Sequence, residues 1–183
     1  TRDGEEEKVL TAFKRVLESH PNTVLLLVPR HPERFDAVAT LVGRMGLRLG
    51  RRSKNDLLTE EMQVYLGDSM GEMMSYYRLA SIAFVGGSLV NTGCQNVLEP
   101  AAFGIPVVTG PSQFNFATIC RQLEAESALR TVANEKELAD FLIDLIPDWA
   151  RQAEMGRRGK ALVEHNQDSL PALLSLLEPL LAA

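Results

Sequence analysis

Short apolar runs alternate with segments of helical periodicity along most of this 183-residue chain. The run TVLLLV at 23–28 is continuous and rich in leucine and β-branched residues, which is typical of a strand buried on both faces of a parallel sheet. It follows the segment 5–19, whose apolar residues recur at helical spacing. Repeated alternation of this kind within one domain predicts an α/β fold with a doubly wound, Rossmann-like parallel sheet.

The same patterns predict the other elements. Further strands are expected at 47–51, 63–66, 82–85, 106–109 and 129–132. Further helices are expected at 33–45, 68–79, 96–103, 116–126, 135–146, 149–166 and, rich in leucine, 170–181. Asp3 is placed to cap the first helix, and Gly104 is placed to follow the end of the helix at 96–103.

The charge and cysteine content of the chain limit the kinds of molecule that it is expected to bind. A formal charge of −5 and a pI near 5.3 argue against bulk attraction to nucleic acid or to an anionic membrane surface. Cys94 and Cys120 are too few for a disulfide framework, and in the absence of a secretory signal we expect both to be reduced. No run is long and apolar enough to cross a bilayer. Because the sequence begins at Thr1 rather than at Met, we expect it to be a fragment of a longer chain.

Three predicted strands end in segments that carry ligand-binding residues. These segments are Pro29-Arg30-His31-Pro32, Asp68-Ser69-Met70-Gly71-Glu72, and Gly86-Gly87 with the loop that leads to Asn96-Val97-Leu98-Glu99. Since the carboxyl ends of parallel strands lie at one edge of a sheet, we expect the three segments to meet there. A guanidinium and the N–H groups of a helix N-terminus bind phosphate, while a carboxylate accepts hydrogen bonds from ribose hydroxyls. The combination predicts a nucleotide site.

Each segment also has a purely structural explanation. Arg30 fits a solvated surface arginine, and the pairs Ser69/Glu72 and Asn96/Glu99 have capping-box spacing. Neither a G-x-G-x-x-G motif after the strand at 23–28 nor a P-loop is present.

Other side chains that can bind metals, act as nucleophiles or bind anions have simpler structural interpretations. The histidines and cysteines are too scattered for a metal site, so we expect no metal and no cofactor. Cys94 fits a small packing residue better than a nucleophile. The group Met70, Met73 and Met74 indicates core or pocket wall, and the pairs Arg51-Arg52 and Arg157-Arg158 indicate solvated surface.

Several motifs resemble a known family. GGSLVNTGCQNVLEPAAFGIPVVTGP at 86–111, FNF at 114–116 and ICRQLE at 119–124 are similar to the C-terminal half of the 3-deoxy-D-manno-octulosonic acid (Kdo) transferases of Gram-negative bacteria. PRHPERF at 29–35 and GDSMGEM at 67–73 match the same family in the same order, so the resemblance covers essentially the whole chain. The family often has Gly-His-Asn-Pro where this chain has Cys94-Gln95-Asn96-Val97.

The resemblance implies the C-terminal half of a two-domain GT-B glycosyltransferase. Residues 1–183 would form the CMP-Kdo (donor) binding domain, and the N-terminal acceptor domain would be absent from this chain. By the same likeness, the CMP pocket would be lined by Pro29, Arg30, Met70, Gly71, Glu72, Asn96, Val97, Leu98 and Glu99. Glu99 would contact the ribose. Additional candidates are His31, Gly86, Gly87 and Ser88.

The resemblance also implies a reaction. Kdo would pass from CMP to a hydroxyl of a lipid A precursor, with Arg30 and the N–H groups of the helix at Asn96 stabilising charge on the departing phosphate. The catalytic base would lie in the missing half, so this chain alone is expected to bind CMP without catalysis. The full-length protein is expected at the cytoplasmic face of the bacterial inner membrane and associated with it, whereas the fragment is expected to be soluble. The last leucine-rich helix would pack either on the missing half or in the core.

Two other functions stay open on the sequence alone. The chain also fits the donor-binding half of a different nucleotide-sugar enzyme, such as a UDP-sugar transferase or epimerase. It also fits a non-catalytic nucleotide-binding interaction module, because this fold serves many functions.

Overall fold

The computed structural model describes the backbone of residues 1–181 and the side chains of residues 1–166. The helices are α1 (Glu5–Ser19), α2 (Phe35–Arg44), α3 (Met73–Leu79), α4 (Leu98–Ala102), α5 (Ala117–Ala125), α6 (Glu135–Leu145) and α7 (Trp149–Leu181). The strands are β1 (Leu25–Leu27), β2 (Leu49–Arg51), β3 (Val64–Leu66), β4 (Ala83–Val85), β5 (Val107–Thr109) and β6 (Leu129–Thr131). Short 3-10 turns occupy Pro32–Arg34 and Arg52–Lys54. The predicted alternation is confirmed, and the side chains of the leucine-rich segment 170–181 lie outside the described residues.

The strands form two parallel sheets rather than the one that was predicted. Their strand orders are β1-β3-β2 and β4-β5-β6. At the carboxyl end of β1, Thr1 takes the place of a neighbouring strand: its amino nitrogen donates to the Val28 carbonyl at 2.7 Å, and its carbonyl accepts the N–H of Arg30 at 3.0 Å. Thr1 therefore occupies backbone groups of Val28 and Arg30, directly after β1.

Helix α1 packs against both sheets. Leu10 and Phe13 belong to a core cluster with side chains of β1 and β3. Ala12, on another face of the helix, belongs to a cluster with Val108 of β5. The helix therefore fixes the two sheets relative to each other. Within the described part of the chain, no helix combines the length and the apolar character that crossing a membrane requires.

The N-terminus of α1 differs from its predicted form. Asp3 does not cap the helix, because its carboxylate accepts from Arg34. The N-cap residue is Gly4, at φ 76, without a side-chain cap. Glu5 and Glu6, whose position in the first turn suits the helix dipole, are both buried and make tertiary contacts instead. Contacts with other segments therefore hold this end of α1.

The start of α3 is the largest difference in element boundaries. The helix begins at Met73 rather than at Asp68-Ser69. Ser69 does not cap it, because its hydroxyl donates to the carboxylate of Glu72, which itself occupies the N-cap position. The capping-box interpretation of this segment is therefore wrong. The residues between β3 and α3 form a loop.

Gly156 marks a close approach of α7 to the turn after α4. That turn contains Gly104, whose φ of 70 confirms its predicted place after the helix. A Cβ at position 156 would overlap the carbonyl oxygen of Gly104. We expect Gly156→Ala to lower the free energy of unfolding by about 1–3 kcal/mol, the usual cost of overpacking.

A glycine in a helix with open surroundings provides the control for this prediction. Nothing lies within 4 Å of a Cβ placed on Gly43 in α2. Gly43→Ala should therefore stabilise the protein by about 0.5–1 kcal/mol, because alanine is the better helix former. Urea denaturation measures both variants, and equal effects at the two positions would contradict the close packing at Gly156.

Candidate functional site

The ends of β1 and β3 adjoin directly. Leu27 pairs with Leu66 in the parallel register, and the N–H of Gly67 donates to the Leu27 carbonyl at 2.9 Å. A Cβ on Gly67 would lie 2.9 Å from the ring of Tyr76. The first two predicted segments therefore start side by side.

Thr1 joins the ends of β1 and β4. Thr1 bonds to the chain after β1 and also lies against Gly86. A Cβ placed on Gly86 would be 2.9 Å from the Cα of Thr1. The Gly86 carbonyl accepts the N–H of Gln95 at 2.9 Å. The residue after Gln95 is Asn96, so the third predicted segment lies beside the first although β4 belongs to the second sheet.

The helices after β3 and β4 also meet. The rings of Tyr77 in α3 and Phe103 after α4 have centroids 6.1 Å apart. Burial raises the pKa of Tyr77, and the negative charge of Glu99 raises it further. All three predicted segments therefore converge at one corner of the fold.

Arg30 presents an unpaired guanidinium at this corner. Its backbone is fixed by the bond to Thr1, whereas its exposed side chain has no hydrogen bond or ion pair with any described residue. Pro29, before it, is buried. His31, after it, is half-buried, with Nε2 2.6 Å from Nη1 of Arg2. A guanidinium held this way is suited to bind an anion.

Glu72 is held by its neighbours. Its Oε1 accepts from Nε and Nη2 of Arg52 at 3.1 and 2.8 Å, and its Oε2 accepts from the hydroxyl of Ser69. The bonds from Ser69 and Arg52 lower the pKa of Glu72. Arg52 lies at the surface as predicted, with its side chain 39% exposed, and it also fixes a predicted site residue. Glu72 in turn fixes the loop between β3 and α3.

Met70 and Gly71 form the exposed tip of that loop. Met70 is 68% exposed and Met74 is also exposed, so these two do not belong to the core. Gly71 has φ 81, and nothing lies within 4 Å of a Cβ placed there. The open surface at the tip leaves room for a planar ring to lie against it.

Asn96 organises the start of α4. Its Oδ1 accepts the N–H of Leu98 at 3.0 Å, and its Nδ2 donates to Oε1 of Glu99 at 3.1 Å. Val97 is fully buried, and Leu98 is half-buried. The Oε2 of Glu99 has no partner among the described residues, so this half-buried carboxylate can accept a ligand hydroxyl. With five residues, α4 contributes only a short dipole.

A side chain that the sequence did not single out fills the glycine loop after β4. The fully buried carboxylate of Glu5 accepts the N–H groups of Gly87, Ser88 and Leu89 at 2.6, 3.0 and 2.9 Å. Successive N–H groups of this kind form an anion-binding nest, and here the anion is the protein's own. The N–H groups of Gly87 and Ser88 are therefore satisfied internally, which fits a supporting role for this loop.

Asp68 fixes the segment after β2 to the end of β3. Its buried carboxylate accepts from the backbone N–H of Ser53 at 2.7 Å, the Ser53 hydroxyl at 2.5 Å and Nε of Arg51 at 2.6 Å. Arg51 also pairs with Asp36. Arg51 is therefore not the solvated residue that was predicted, whereas Arg157 and Arg158 do lie near the surface and pair with Glu154.

The cysteines pack in the interior. Cys94 and Cys120 are both free and buried in the core cluster beside β4 and β5. A hydrogen bond with Cys94, together with burial, raises the pKa of Cys120. The predicted packing role of Cys94 is confirmed. Among the residues that the structure describes, no cluster of three or more His, Cys, Asp or Glu side chains could hold a metal ion.

Comparison with known proteins identifies the family. The sequence profile of the glycosyl transferases group 1 matches residues 4–162. The chain belongs to this glycosyltransferase family. A glycosyltransferase from Haemophilus influenzae, 3-deoxy-D-manno-octulosonic acid transferase, is 43% identical over 182 residues, which are 99% of this chain and 43% of that protein. The protein of the same name from Bordetella pertussis is 34% identical over 97% of this chain and 42% of its own length. This chain therefore spans less than half the length of the curated glycosyltransferases that it matches.

Solved glycosyltransferase domains share the fold. The C-terminal CMP-Kdo binding domain of WaaA from Acinetobacter baumannii has a TM-score of 0.79 and 35% identity, covering 87% of this chain and 84% of that one. The C-terminal domain of the group 1 family protein LpcC from Francisella tularensis has a TM-score of 0.58 over 90% of this chain and 81% of that one, at 16% identity, and bears on the fold alone. These likenesses confirm the predicted α/β fold of a GT-B C-terminal half and the similarity to Kdo transferases.

Proposed function

We propose that this chain is the CMP-Kdo binding half of a Kdo transferase. The observation that carries the proposal is the convergence of the unpaired Arg30 guanidinium, the open tip at Met70-Gly71 and the Glu99 carboxylate at one corner. These groups complement a phosphate, a base and a ribose diol respectively. The names of the similar transferases and the CMP-Kdo binding domain of the structural neighbour support this choice of nucleotide.

Each proposed site residue has a distinct task. Arg30 binds the phosphate, and buried Pro29 fixes the backbone from which it projects. Met70 and Gly71 contact the cytosine, while Glu72 positions their loop through Arg52 and Ser69. Glu99 accepts from the ribose hydroxyls, oriented by Asn96. Val97 contributes backbone rather than side chain because it is fully buried, and so does Leu98, whose half-buried side chain packs against the core cluster beside β4 and β5.

The longer protein would transfer Kdo to a lipid A precursor. In that reaction the anomeric carbon of Kdo leaves the CMP oxygen and bonds to an acceptor hydroxyl, whose proton passes to a base. Negative charge then grows on the CMP phosphate, where Arg30 stabilises it. We propose that the base lies in an N-terminal half outside this chain, that this chain alone binds without catalysis, and that the longer protein acts at the cytoplasmic face of the inner membrane.

The test is calorimetric titration of the 183-residue chain with CMP, UMP and UDP. We expect CMP to bind most tightly. Arg30→Ala and Glu99→Ala should each weaken CMP binding by about 1–3 kcal/mol, or roughly 5- to 150-fold, because each removes charge-assisted hydrogen bonds. Arg44→Ala is the control for lost positive charge, since exposed Arg44 lies at the far end of α2 from this corner.

Other outcomes would favour the alternative functions. Preference for UDP would indicate a UDP-sugar enzyme. CMP binding without Kdo transfer, even by a longer chain that includes the N-terminal half, would indicate a non-catalytic module. Absence of binding by all three nucleotides would contradict the proposal.

A further inference from the structure

Arg2 is a half-buried arginine without a carboxylate partner. Its Nη1 lies 2.6 Å from Nε2 of His31, but no carboxylate of the described side chains lies within ion-pair distance of its guanidinium. Its Nε is buried and has no hydrogen-bond partner there, a condition shared with Arg34, which differs in having two carboxylate partners on its other nitrogens. A buried donor without a partner is rare in folded proteins and requires an explanation.

The acidic residues nearest in sequence are engaged elsewhere. Glu6 pairs with Arg34 at 3.0 Å, and Asp3 also pairs with Arg34. The Glu5 carboxylate accepts the backbone N–H of Arg2 at 3.1 Å and three N–H groups of the loop after β4. Each of these carboxylates therefore has partners other than the Arg2 guanidinium. The positive charge of Arg2 remains available to an anion from outside the chain.

His31 orients Arg2 toward this role. A guanidinium can only donate hydrogen bonds, so Nε2 of His31 must accept, and the ring proton lies on Nδ1. Nδ1 is 3.9 Å from the carboxylate of Glu33. The imidazole thus holds one edge of the Arg2 guanidinium and leaves the rest of its donors free.

Arg2 and Arg30 lie on adjoining stretches of backbone. The hydrogen bond from the Arg30 N–H to the Thr1 carbonyl, at 3.0 Å, joins the residue before Arg2 to Arg30 itself. The backbones of Arg2 and Arg30, whose guanidinium groups have no carboxylate partner, therefore lie at the same end of β1. Such a pair suits a ligand that carries two negative charges close together.

A CMP-linked sugar acid has this form, because its phosphate and its carboxylate are attached to the same anomeric carbon. We propose that Arg2 binds the sugar carboxylate of the donor while Arg30 binds the phosphate. This inference rests on the proposed function and extends it, since it assigns the selection of an acidic over a neutral sugar to a residue outside the predicted nucleotide pocket.

Calorimetric titration with two ligands, CMP and freshly prepared CMP-Kdo, distinguishes the role of Arg2 from that of Arg30. Wild-type chain should bind CMP-Kdo more tightly than CMP. Arg2→Ala should weaken CMP-Kdo binding by about 10- to 100-fold and leave CMP binding within about 2-fold, as expected for one lost charge-assisted contact. Arg30→Ala should weaken both ligands, and Arg44→Ala should weaken neither. Arg2→Lys, which keeps the charge but not the fork of donors, should lose less than Arg2→Ala and still favour CMP-Kdo over CMP.

The outcomes distinguish this inference from the proposed function. Arg2 variants that weaken CMP and CMP-Kdo equally, or that weaken neither, would overturn the role of Arg2 while leaving CMP binding established. If alanine prevents folding, the selective loss in Arg2→Lys decides the question in the same way. Failure of the wild-type chain to bind CMP would overturn the proposed function and this inference with it.

Discussion

Replacing Glu5 by alanine is expected to lower the free energy of unfolding by about 3–5 kcal/mol, the range for removing one member of a buried charged interaction. The side chain is fully buried, and its carboxylate accepts N–H groups from Gly87, Ser88 and Leu89. Alanine leaves these buried donors unpaired, and each unpaired donor costs about 1–3 kcal/mol. It also releases the loop after β4 from α1. Urea denaturation at neutral pH measures the loss.

Glu7→Ala is the matched control, because Glu7 occupies the same helical turn but is exposed. Its effect should stay within about 0.5 kcal/mol, as for most surface substitutions. Glu5→Gln should destabilise less than alanine, since its carbonyl oxygen can still accept the N–H groups of Ser88 and Leu89 while its NH2 faces the N–H of Gly87. A loss below about 1 kcal/mol in Glu5→Ala would show that the loop N–H groups find other acceptors, contrary to the structure.

The fold was predictable because its signals are local and repeated. Runs such as the one at 23–28 and the helical period of 5–19 need no distant partner to be recognised, and they reappear as β1 and α1. The division into two sheets was not predictable. It depends on which strands pair, and β1 pairs with β3 while β4 pairs with β5, contacts between residues far apart in sequence that no local pattern specifies.

The site was predictable only in part, for the same reason. Arg30 follows β1 closely, and Glu99 lies in the helix that follows the loop after β4. The parallel-sheet rule places ligand-binding groups in such segments. Glu5 was missed because a glutamate in a first helical turn already has a local explanation in the helix dipole. Arg52 was missed because a pair of arginines at a strand end is usually solvated, and only the folded chain places it against Glu72.

The buried carboxylate of Asp68 makes stability depend on pH with a definite sign. Burial alone would raise its pKa, but hydrogen bonds from Ser53 and Arg51 outweigh burial and hold the pKa below the ordinary value of 3.8. A carboxyl group whose pKa is lower in the folded than in the unfolded chain adds stability above the unfolded pKa. That contribution is lost as the pH falls through the folded pKa, so it is complete at neutral pH and disappears in acid.

Asp68→Asn is therefore expected to destabilise the protein by about 2–4 kcal/mol at pH 7, somewhat less than a fully broken buried pair because Asp36 still contacts Arg51. Asp36→Asn is the control: the Asp36 side chain is 89% exposed, and its loss should cost less than about 1 kcal/mol. Urea denaturation from pH 7 to pH 2 measures the difference between wild type and Asp68→Asn. The difference should begin to shrink as the pH falls below about 4, where the carboxyl group of the unfolded chain takes up its proton, and should disappear below the lower pKa of the folded chain. A difference that stays constant across this range would mean that the Asp68 variant acts through packing rather than through its lost charge.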